Sequence, residues 1–187
     1  SIGGNHLIHA LRRNVNLTIL LFNNRIYGLT KGQYSPTSEE GKVTKSTPMG
    51  SLDHPFNPLS VALGAEASFV ARTHDLDRKH MMHIFRQAHD HKGASFVEIY
   101  QNCNVFNDGA YDDVTGRHAR SERMIDLVHG EPIRFGAEGQ HGVVMGSDGQ
   151  LRIVDVAEVG ERALLVHDAH RADPGLAFAL ARLSHDD

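Results

Sequence analysis

Apolar and polar residues alternate along the first hundred positions in a way that predicts a regular succession of helices and strands. Leu7, Ile8 and Leu11 recur at helical spacing, which predicts a helix over 5–13. The run Leu17 to Phe22 is apolar apart from Thr18 and predicts a parallel strand covered on both faces. Helices are predicted further along over 58–65 and 77–90, and strands over 68–72 and 94–100. This alternation indicates an α/β fold with a mainly parallel sheet.

After residue 100 the pattern changes to shorter elements. We expect a helix over 115–129, a β-hairpin over 142–156 that turns at Ser147-Asp148-Gly149, a strand over 163–167 and a helix over 174–183. We therefore divide the chain into an α/β domain at 1–112 and a β-rich C-terminal extension at 113–187 that packs on it.

Composition narrows the possible functions. The net charge of −4 argues against a surface that binds nucleic-acid phosphates. The longest apolar run has only the length of a strand, so no membrane span is expected. A single cysteine cannot form an internal disulfide, which favours a reducing, cytoplasmic setting. The 14 histidines lack a repeated ligand spacing, so a histidine-built metal site is not expected.

The candidate chemistry begins where the apolar run ends in two adjacent amides, Asn23 and Asn24. In α/β sheets, polar ligands bind just past the carboxyl ends of the strands. An asparagine oxygen and a nearby backbone carbonyl are ligands that Mg²⁺ accepts, and Gly28 and Gly32 allow backbone N–H groups to approach phosphates. Taken alone, the Asn-Asn pair favours an ordinary turn after a strand over a ligand site, because asparagine is common in turns.

The wider sequence resembles a known family. Its Asn-Asn loop is similar to the second half of the thiamine-diphosphate motif, which runs from Gly-Asp-Gly to Asn-Asn. Residues 1–110 most closely resemble the β subunit of 2-oxoacid:ferredoxin oxidoreductases of the 2-oxoglutarate type. The matching segments are S-I-G-G-N-H at 1–6, H-A-L-R-R-N at 9–14, F-N-N-R-I-Y-G-L-T-K-G-Q-Y-S-P-T at 22–37 and Q-N-C-N at 101–104.

The resemblance implies a three-layer thiamine-diphosphate-binding fold and a cofactor site in the loop after Asn23. Asn24 would give its side-chain oxygen and Ile26 its backbone carbonyl to Mg²⁺, while Gly28 and Leu29 would contact the thiamine diphosphate. The family's Gly-Asp-Gly aspartate has no counterpart here. Because the chain opens without Met, inside an expected helix start, we expect that an upstream part is missing.

Two further residues gain a role from the resemblance. Lys31 is a flexible cation suited to an anion, and its family position handles the distal carboxylate of 2-oxoglutarate or coenzyme A. A solvated surface lysine is the ordinary alternative. Cys103 corresponds to the distant fourth ligand of a [4Fe–4S] cluster, whose other ligands lie in upstream segments. On composition alone, a lone cysteine is more often a structural residue.

The resemblance implies the oxidative decarboxylation of a 2-oxoacid to an acyl-coenzyme A and CO₂, with electrons passed to ferredoxin. An α subunit would be the partner chain and would supply the group that activates the aminopyrimidine. Catalysis is therefore expected only in the complete complex. Two other interpretations stay open: a non-oxidative thiamine-diphosphate enzyme, such as a decarboxylase or an acetolactate-synthase-like enzyme, and a cofactor-free subunit or α/β interaction domain.

Overall fold

Helices and strands alternate through the first part of the chain, as the pattern predicts. The structure is a computed structural model that describes residues 3–183, and it divides into two units, Ser1–Tyr111 and Asp112–Asp187. The elements of the first unit are α1 (Gly4–Arg12), β1 (Leu17–Asn23), β2 (Ile26–Tyr27), β3 (Gln33–Tyr34), α2 (Pro58–Gly64), β4 (Phe69–His74), α3 (Arg78–Asp90) and β5 (Ala94–Tyr100).

The sheet of the first unit has the order β1-β5-β4, and both of its pairings are parallel. Strand β5 lies in the middle and is buried from Ala94 to Ile99. Val97 and Ile99 pack with Ala88 of α3 in the core, and Phe69, Ala71, Met81, Ile84 and Phe85 pack against this cluster. The predicted α/β class with a parallel sheet is confirmed.

Helix starts follow the expected capping chemistry. Asn57 accepts a hydrogen bond from the Ser60 backbone N–H at 3.0 Å, and Pro58 occupies the first turn of α2. At α3, Asp77 accepts from the His80 N–H at 3.0 Å. Both caps satisfy N–H groups that a helix cannot pair internally.

Strand β1 differs from its prediction. We expected it to be covered on both faces, but it is an edge strand whose only sheet neighbour among the described residues is β5. Its alternating side chains are unequally buried, and Leu17, Leu20 and Phe22 remain 47%, 39% and 53% exposed. An apolar run therefore identified the strand correctly, but the run did not reveal its position at the sheet edge.

The second unit is built from short elements. They are α4 (Asp112–Thr115), α5 (Arg117–Arg123), β6 (Arg134–Phe135), β7 (His141–Met145), β8 (Leu151–Asp155), α6 (Val156–Val159), a 3₁₀ turn (Glu161–Ala163) and α7 (Gly175–Leu180). Strands β6, β7 and β8 form an antiparallel sheet in that order, and β7 and β8 form the predicted hairpin. Within residues 3–183, no helix is both long and apolar enough to cross a bilayer.

Two predictions for the second unit need correction. The helix expected over 115–129 is limited to α5, because extended backbone at Met124 ends it. The strand expected over 163–167 is an isolated bridge between Pro132 and Val166. Leu165 N donates to Val143 O, and Leu165 O accepts from Ile133 N, both at 2.8 Å. These hydrogen bonds attach the segment to the sheet, but the segment does not form a strand of its own.

Candidate functional site

The three parallel strands of the first unit end at the same edge of the sheet. Asn23, the last residue of β1, stands opposite Tyr100 of β5, and Tyr100 in turn stands opposite His74 of β4. The carboxyl edge of a parallel sheet is where α/β proteins place their ligands. The loops that follow β1 and β5, which carry the predicted site residues, both start here.

A buried carboxylate lies directly below this edge. Glu98 of β5 is 1% exposed; it accepts hydrogen bonds from Asn23 Nδ2 at 2.7 Å and from Arg72 Nε at 2.8 Å. Burial alone would lower the pKa of the Arg72 guanidinium. The neighbouring Tyr100 and Glu98 outweigh the effect of burial, so this pKa is raised. Glu98 therefore links all three strands through charge and hydrogen bonding.

Aromatic rings continue this network toward the loops. The ring of Tyr100 stacks on that of Tyr111 with centroids 4.1 Å apart, and the Arg72 guanidinium lies 4.9 Å from the centroid of Tyr100. On Tyr111, the Arg25 guanidinium lies 4.3 Å from the ring centroid, and it also donates to Ala110 O at 3.0 Å. Burial raises the pKa of Tyr111, so this ring stays neutral beneath Arg25.

The two asparagines after the strand have different surroundings. Asn23 is buried, and its Oδ1 accepts from Thr37 Oγ1 at 2.6 Å and from Arg25 N at 3.2 Å, while its Nδ2 is bound to Glu98. Both ends of this amide are thus used within the protein. Asn23 is a structural residue that fixes the start of the loop.

Asn24, the predicted Mg²⁺ ligand, is only half-buried. Its Oδ1 accepts from the Ile26 N–H at 3.2 Å, which forms a local turn and leaves the second lone pair of that oxygen available. Ile26 is buried and begins the short β2–β3 ladder opposite Tyr34. The structure thus places both predicted ligands within one turn.

The predicted cofactor-contact residues occupy the tight turn that joins β2 to β3. Lys31 N donates to Gly28 O and Gly32 N donates to Tyr27 O, both at 3.0 Å. Leu29 is fully accessible at the surface, Lys31 is exposed and Gly28 is half-buried. Lys31 has a φ of 68° and Gly32 a φ of 92°, so the turn uses left-handed backbone at both residues.

The glycines of this turn face an aromatic ring from another loop. A Cβ atom on Gly32 would lie 3.1 Å from Phe106 Cδ1, and one on Gly28 would lie 3.6 Å from Phe106 Cδ2. The bare backbone of the turn is therefore held against Phe106. Phe106 can pack this closely because neither glycine carries a side chain.

Cys103 lies in the turn that follows β5. It is half-buried, and its carbonyl accepts from the Asn107 N–H at 2.9 Å. The Asn102 side chain stabilises the same turn by accepting from Gly109 N at 3.0 Å and donating to Asp108 at 2.7 Å. Phe106 and Asn107 follow directly, so the turn with Cys103 contacts the loop with Asn24.

The donor set has a clear chemical character. Asn24 and Ile26 offer neutral oxygens, which Mg²⁺ accepts when other ligands supply negative charge. Among the described residues, no three His, Cys, Asp or Glu side chains come together in a way that could hold a metal ion. The residues present therefore fit one share of a Mg²⁺–diphosphate site, with the anionic share coming from the diphosphate and from ligands outside this set.

Comparison with known families supports this interpretation of the loop. Residues 1–99 match the family described as the thiamine pyrophosphate enzyme, C-terminal TPP binding domain. The chain belongs to this family. The match covers α1, β1, β4, all of β5 except Tyr100, and the Asn-Asn loop, and it confirms the predicted thiamine-diphosphate-binding fold.

Curated relatives point to a narrower group. The chain is 62% identical over 184 residues to the 2-oxoglutarate oxidoreductase subunit KorB of Mycobacterium tuberculosis, which covers 98% of this chain and 49% of the relative. It is 43% identical over 107 residues to the 2-oxoacid:ferredoxin oxidoreductase subunit beta of Saccharolobus solfataricus, covering 57% of this chain and 35% of that protein. The chain thus spans about half the length, or less, of these relatives.

A solved structure agrees with these relatives. The 2-oxoglutarate:ferredoxin oxidoreductase from Magnetococcus marinus, with 2-oxoglutarate, coenzyme A and succinyl-CoA bound, matches with a TM-score of 0.61 and 38% identity. The match covers 69% of this chain and 43% of the solved chain. The resemblance to 2-oxoacid:ferredoxin oxidoreductase β subunits, recognised from the sequence motifs, is therefore confirmed.

Sequence reasoning missed three residues that shape the site: Glu98, Phe106 and Asn107. Glu98 was detectable as the one charged residue in the apolar strand A-S-F-V-E-I-Y. A charge inside a buried strand needs a partner, and this requirement was the available signal. Phe106 and Asn107 follow Cys103 closely, but their contacts with the Asn24 loop depend on tertiary structure.

We predict that Glu98→Ala destabilises the protein strongly. The variant leaves Arg72 and the buried amide of Asn23 without their acceptor, and removing one partner of a buried ion pair costs about 3 kcal/mol. The free energy of unfolding in urea at neutral pH measures this loss. As a control, Glu161→Ala breaks the exposed Arg134–Glu161 pair, where the N–O distance is 3.2 Å, and leaves the unfolding midpoint nearly unchanged. Equal losses in the two variants would contradict a special role for Glu98.

Proposed function

We propose that this chain is the cofactor-binding part of the β subunit of a 2-oxoacid:ferredoxin oxidoreductase that acts on 2-oxoglutarate. The observation that carries the proposal is the 62% identity to the M. tuberculosis 2-oxoglutarate oxidoreductase subunit along 98% of this chain. The reaction converts 2-oxoglutarate and coenzyme A into succinyl-CoA, CO₂ and a proton. Two electrons leave the substrate and reduce two molecules of ferredoxin.

The loop after β1 is the proposed diphosphate and Mg²⁺ site. Asn24 Oδ1 and the Ile26 carbonyl oxygen would hold the cation, while the backbone at Gly28 and Leu29 would contact the diphosphate. Thiamine diphosphate, when bound, supplies the carbanion chemistry that decarboxylation needs. The role of this chain is to position the cofactor. The buried hydrogen bond of 2.7 Å from Asn23 Nδ2 to Glu98 supports that role, because it fixes the start of the loop.

Lys31 is the proposed anion contact. Lys31 is exposed in the turn between β2 and β3, so its ammonium group can reach a reactant. The distal carboxylate of 2-oxoglutarate and a phosphate of coenzyme A are both suitable partners.

Cys103 is the proposed ligand of a [4Fe–4S] cluster. Such a cluster needs four thiolates and this chain holds one cysteine, so the remaining ligands would come from outside these 187 residues. Cys103 lies on the turn that touches the Asn24 loop, which supports electron transfer between neighbouring sites. We further propose an α subunit and ferredoxin as protein partners and a cytoplasmic location, consistent with the lone, unpaired cysteine.

Loss of the Asn24 oxygen tests the cofactor site. We expect Asn24→Ala to weaken the binding of Mg²⁺–thiamine diphosphate to the complete enzyme at least tenfold, because one of the few protein ligands is removed. Titration calorimetry measures the Kd. Asn57→Ala, which removes a helix cap outside the loop, is the matched control and should leave the Kd unchanged. No binding by the unaltered enzyme would overturn the proposed function and favour a cofactor-free subunit.

Lys31→Ala tests the anion contact. We expect the KM for 2-oxoglutarate or for coenzyme A to rise about tenfold, the value of one charge-assisted contact of about 1.4 kcal/mol. The Kd for Mg²⁺–thiamine diphosphate should stay the same. Lys45→Ala, at another exposed lysine, serves as the control in steady-state kinetics. Unchanged KM values for both reactants would refute the assignment of Lys31.

Cys103→Ser separates the oxidative reaction from a non-oxidative one. In the complete enzyme we expect loss of ferredoxin reduction and of the cluster's paramagnetic resonance signal, because serine replaces a soft thiolate ligand. Cofactor binding should persist. A non-oxidative thiamine-diphosphate enzyme predicts the opposite outcome, in which the variant shows no change in any catalysed reaction.

A further inference from the structure

Asn107 joins the two loops of the site through its side-chain amide. It is 6% exposed and lies at the end of the turn that starts at Cys103. Its Nδ2 donates to the carbonyl oxygen of Asn24 at 3.0 Å and points to that of Arg25 at 3.5 Å. Its Oδ1 accepts from Lys42 Nζ at 2.6 Å. One buried amide therefore joins three separate stretches of chain.

The contacts of Asn107 fall where the Asn24 loop is least able to hold its own shape. Arg25, directly after Asn24, has a φ of 53°, a left-handed conformation that is unfavourable for a residue with a Cβ. Such a backbone persists only when its surroundings fix it. The Arg25 carbonyl accepts from Ser38 Oγ as well as facing Asn107, so outside groups hold the peptide between the two predicted ligands.

The residue beside Asn107 acts on the other end of the same loop. Phe106 packs on the backbone at Gly28 and Gly32, where an added Cβ would approach its ring to 3.6 and 3.1 Å. Two consecutive residues of one turn thus contact the loop at Asn24, a proposed Mg²⁺ ligand, and at Gly28, a proposed diphosphate contact. The link to Lys42 continues to Glu39 at 2.8 Å, which anchors Asn107 on the loop after β3.

We propose that Asn107 is a positioning residue for the cofactor loop: it holds the Asn24–Arg25 backbone so that Asn24 Oδ1 and the Ile26 carbonyl face one cation. The turn from Cys103 to Asn107 thereby ties the proposed cluster ligand to the proposed thiamine-diphosphate site. This inference rests on the proposed function of the loop and adds a residue that the family resemblance did not point to.

The test compares Asn107→Ala with two matched variants in the complete enzyme. Asn107→Ala removes both the donors to the Asn24 loop and the acceptor of Lys42. Lys42→Met removes the donor to Asn107 Oδ1 together with the Lys42–Glu39 ion pair, and it leaves the Asn107 donors to the Asn24 loop in place. Asn57→Ala removes an asparagine that also bonds to backbone, but at the cap of α2. Calorimetric Kd values for Mg²⁺–thiamine diphosphate, urea unfolding and the KM for coenzyme A are measured for each.

We expect Asn107→Ala to weaken Mg²⁺–thiamine diphosphate about tenfold, with the KM for coenzyme A unchanged. Lys42→Met should change the Kd less than threefold, and Asn57→Ala should lower stability without changing the Kd. If the alanine variant does not fold, Asn107→Ser replaces it, and a Kd at least threefold weaker is expected. A Kd for the Asn107 variant that matches that of Asn57→Ala would overturn the proposal.

The two levels of inference fail in different ways. If the unaltered enzyme does not bind Mg²⁺–thiamine diphosphate, the proposed function is wrong. If it binds, and Asn24→Ala abolishes binding while Asn107→Ala does not weaken it, the function stands and only the positioning role of Asn107 is refuted.

Discussion

The geometry of the site depends on the buried carboxylate of Glu98. It holds Asn23 at the end of β1 and Arg72 on β4 while itself belonging to β5, so one side chain sets the ends of three strands. Its two partners make further contacts. Asn23 Oδ1 accepts hydrogen bonds from Arg25 N and Thr37 Oγ1, and the Arg72 guanidinium lies over the ring of Tyr100. A buried charge is costly unless it is paired and hydrogen-bonded, and here one of its partners, Asn23, is the residue from which the Asn24 loop starts.

The loops are ordered by contacts that cross long sequence distances. Asn107 and Asn24 are 83 residues apart in the chain, yet a 3.0 Å hydrogen bond joins them. The left-handed Arg25 is held in part by a group from outside its own turn, because its carbonyl accepts from Ser38 Oγ. The site is therefore a product of the folded sheet edge, in which the loop after β5 shapes the loop after β1.

The helices and strands that depend on local sequence pattern were predictable. The features that depend on tertiary structure were not. Apolar runs identified β1 and β5, and Asn57 followed by Pro58 identified the start of α2, because those signals act within a few residues. The exposure of Phe22 could not be read from the run, since it depends on what packs on each face of the sheet. The segment 163–167 is apolar like a strand, but it forms an isolated bridge between Val166 and Pro132 instead of a strand. The motif around Asn24 indicated a cofactor loop, whereas its supports at Glu98 and Asn107 are set by pairings that no local spacing encodes.

The neutral character of the proposed ligands has a consequence for how the cofactor would assemble. An asparagine oxygen and a backbone carbonyl hold a divalent cation weakly, because neither offsets its charge. The diphosphate supplies the negative charge that offsets the cation. In turn, the backbone near Gly28 would bind a diphosphate closely only with a cation beside it. Each ligand therefore increases the affinity of the other, and by linkage the effect is equal in both directions. A rigid loop favours such binding. If Asn24 and Ile26 became ordered only during binding, the entropy cost of ordering would reduce the small binding free energy that these two ligands contribute. The strained, externally braced backbone around Arg25 is thus a reasonable design for a site whose protein ligands carry no charge.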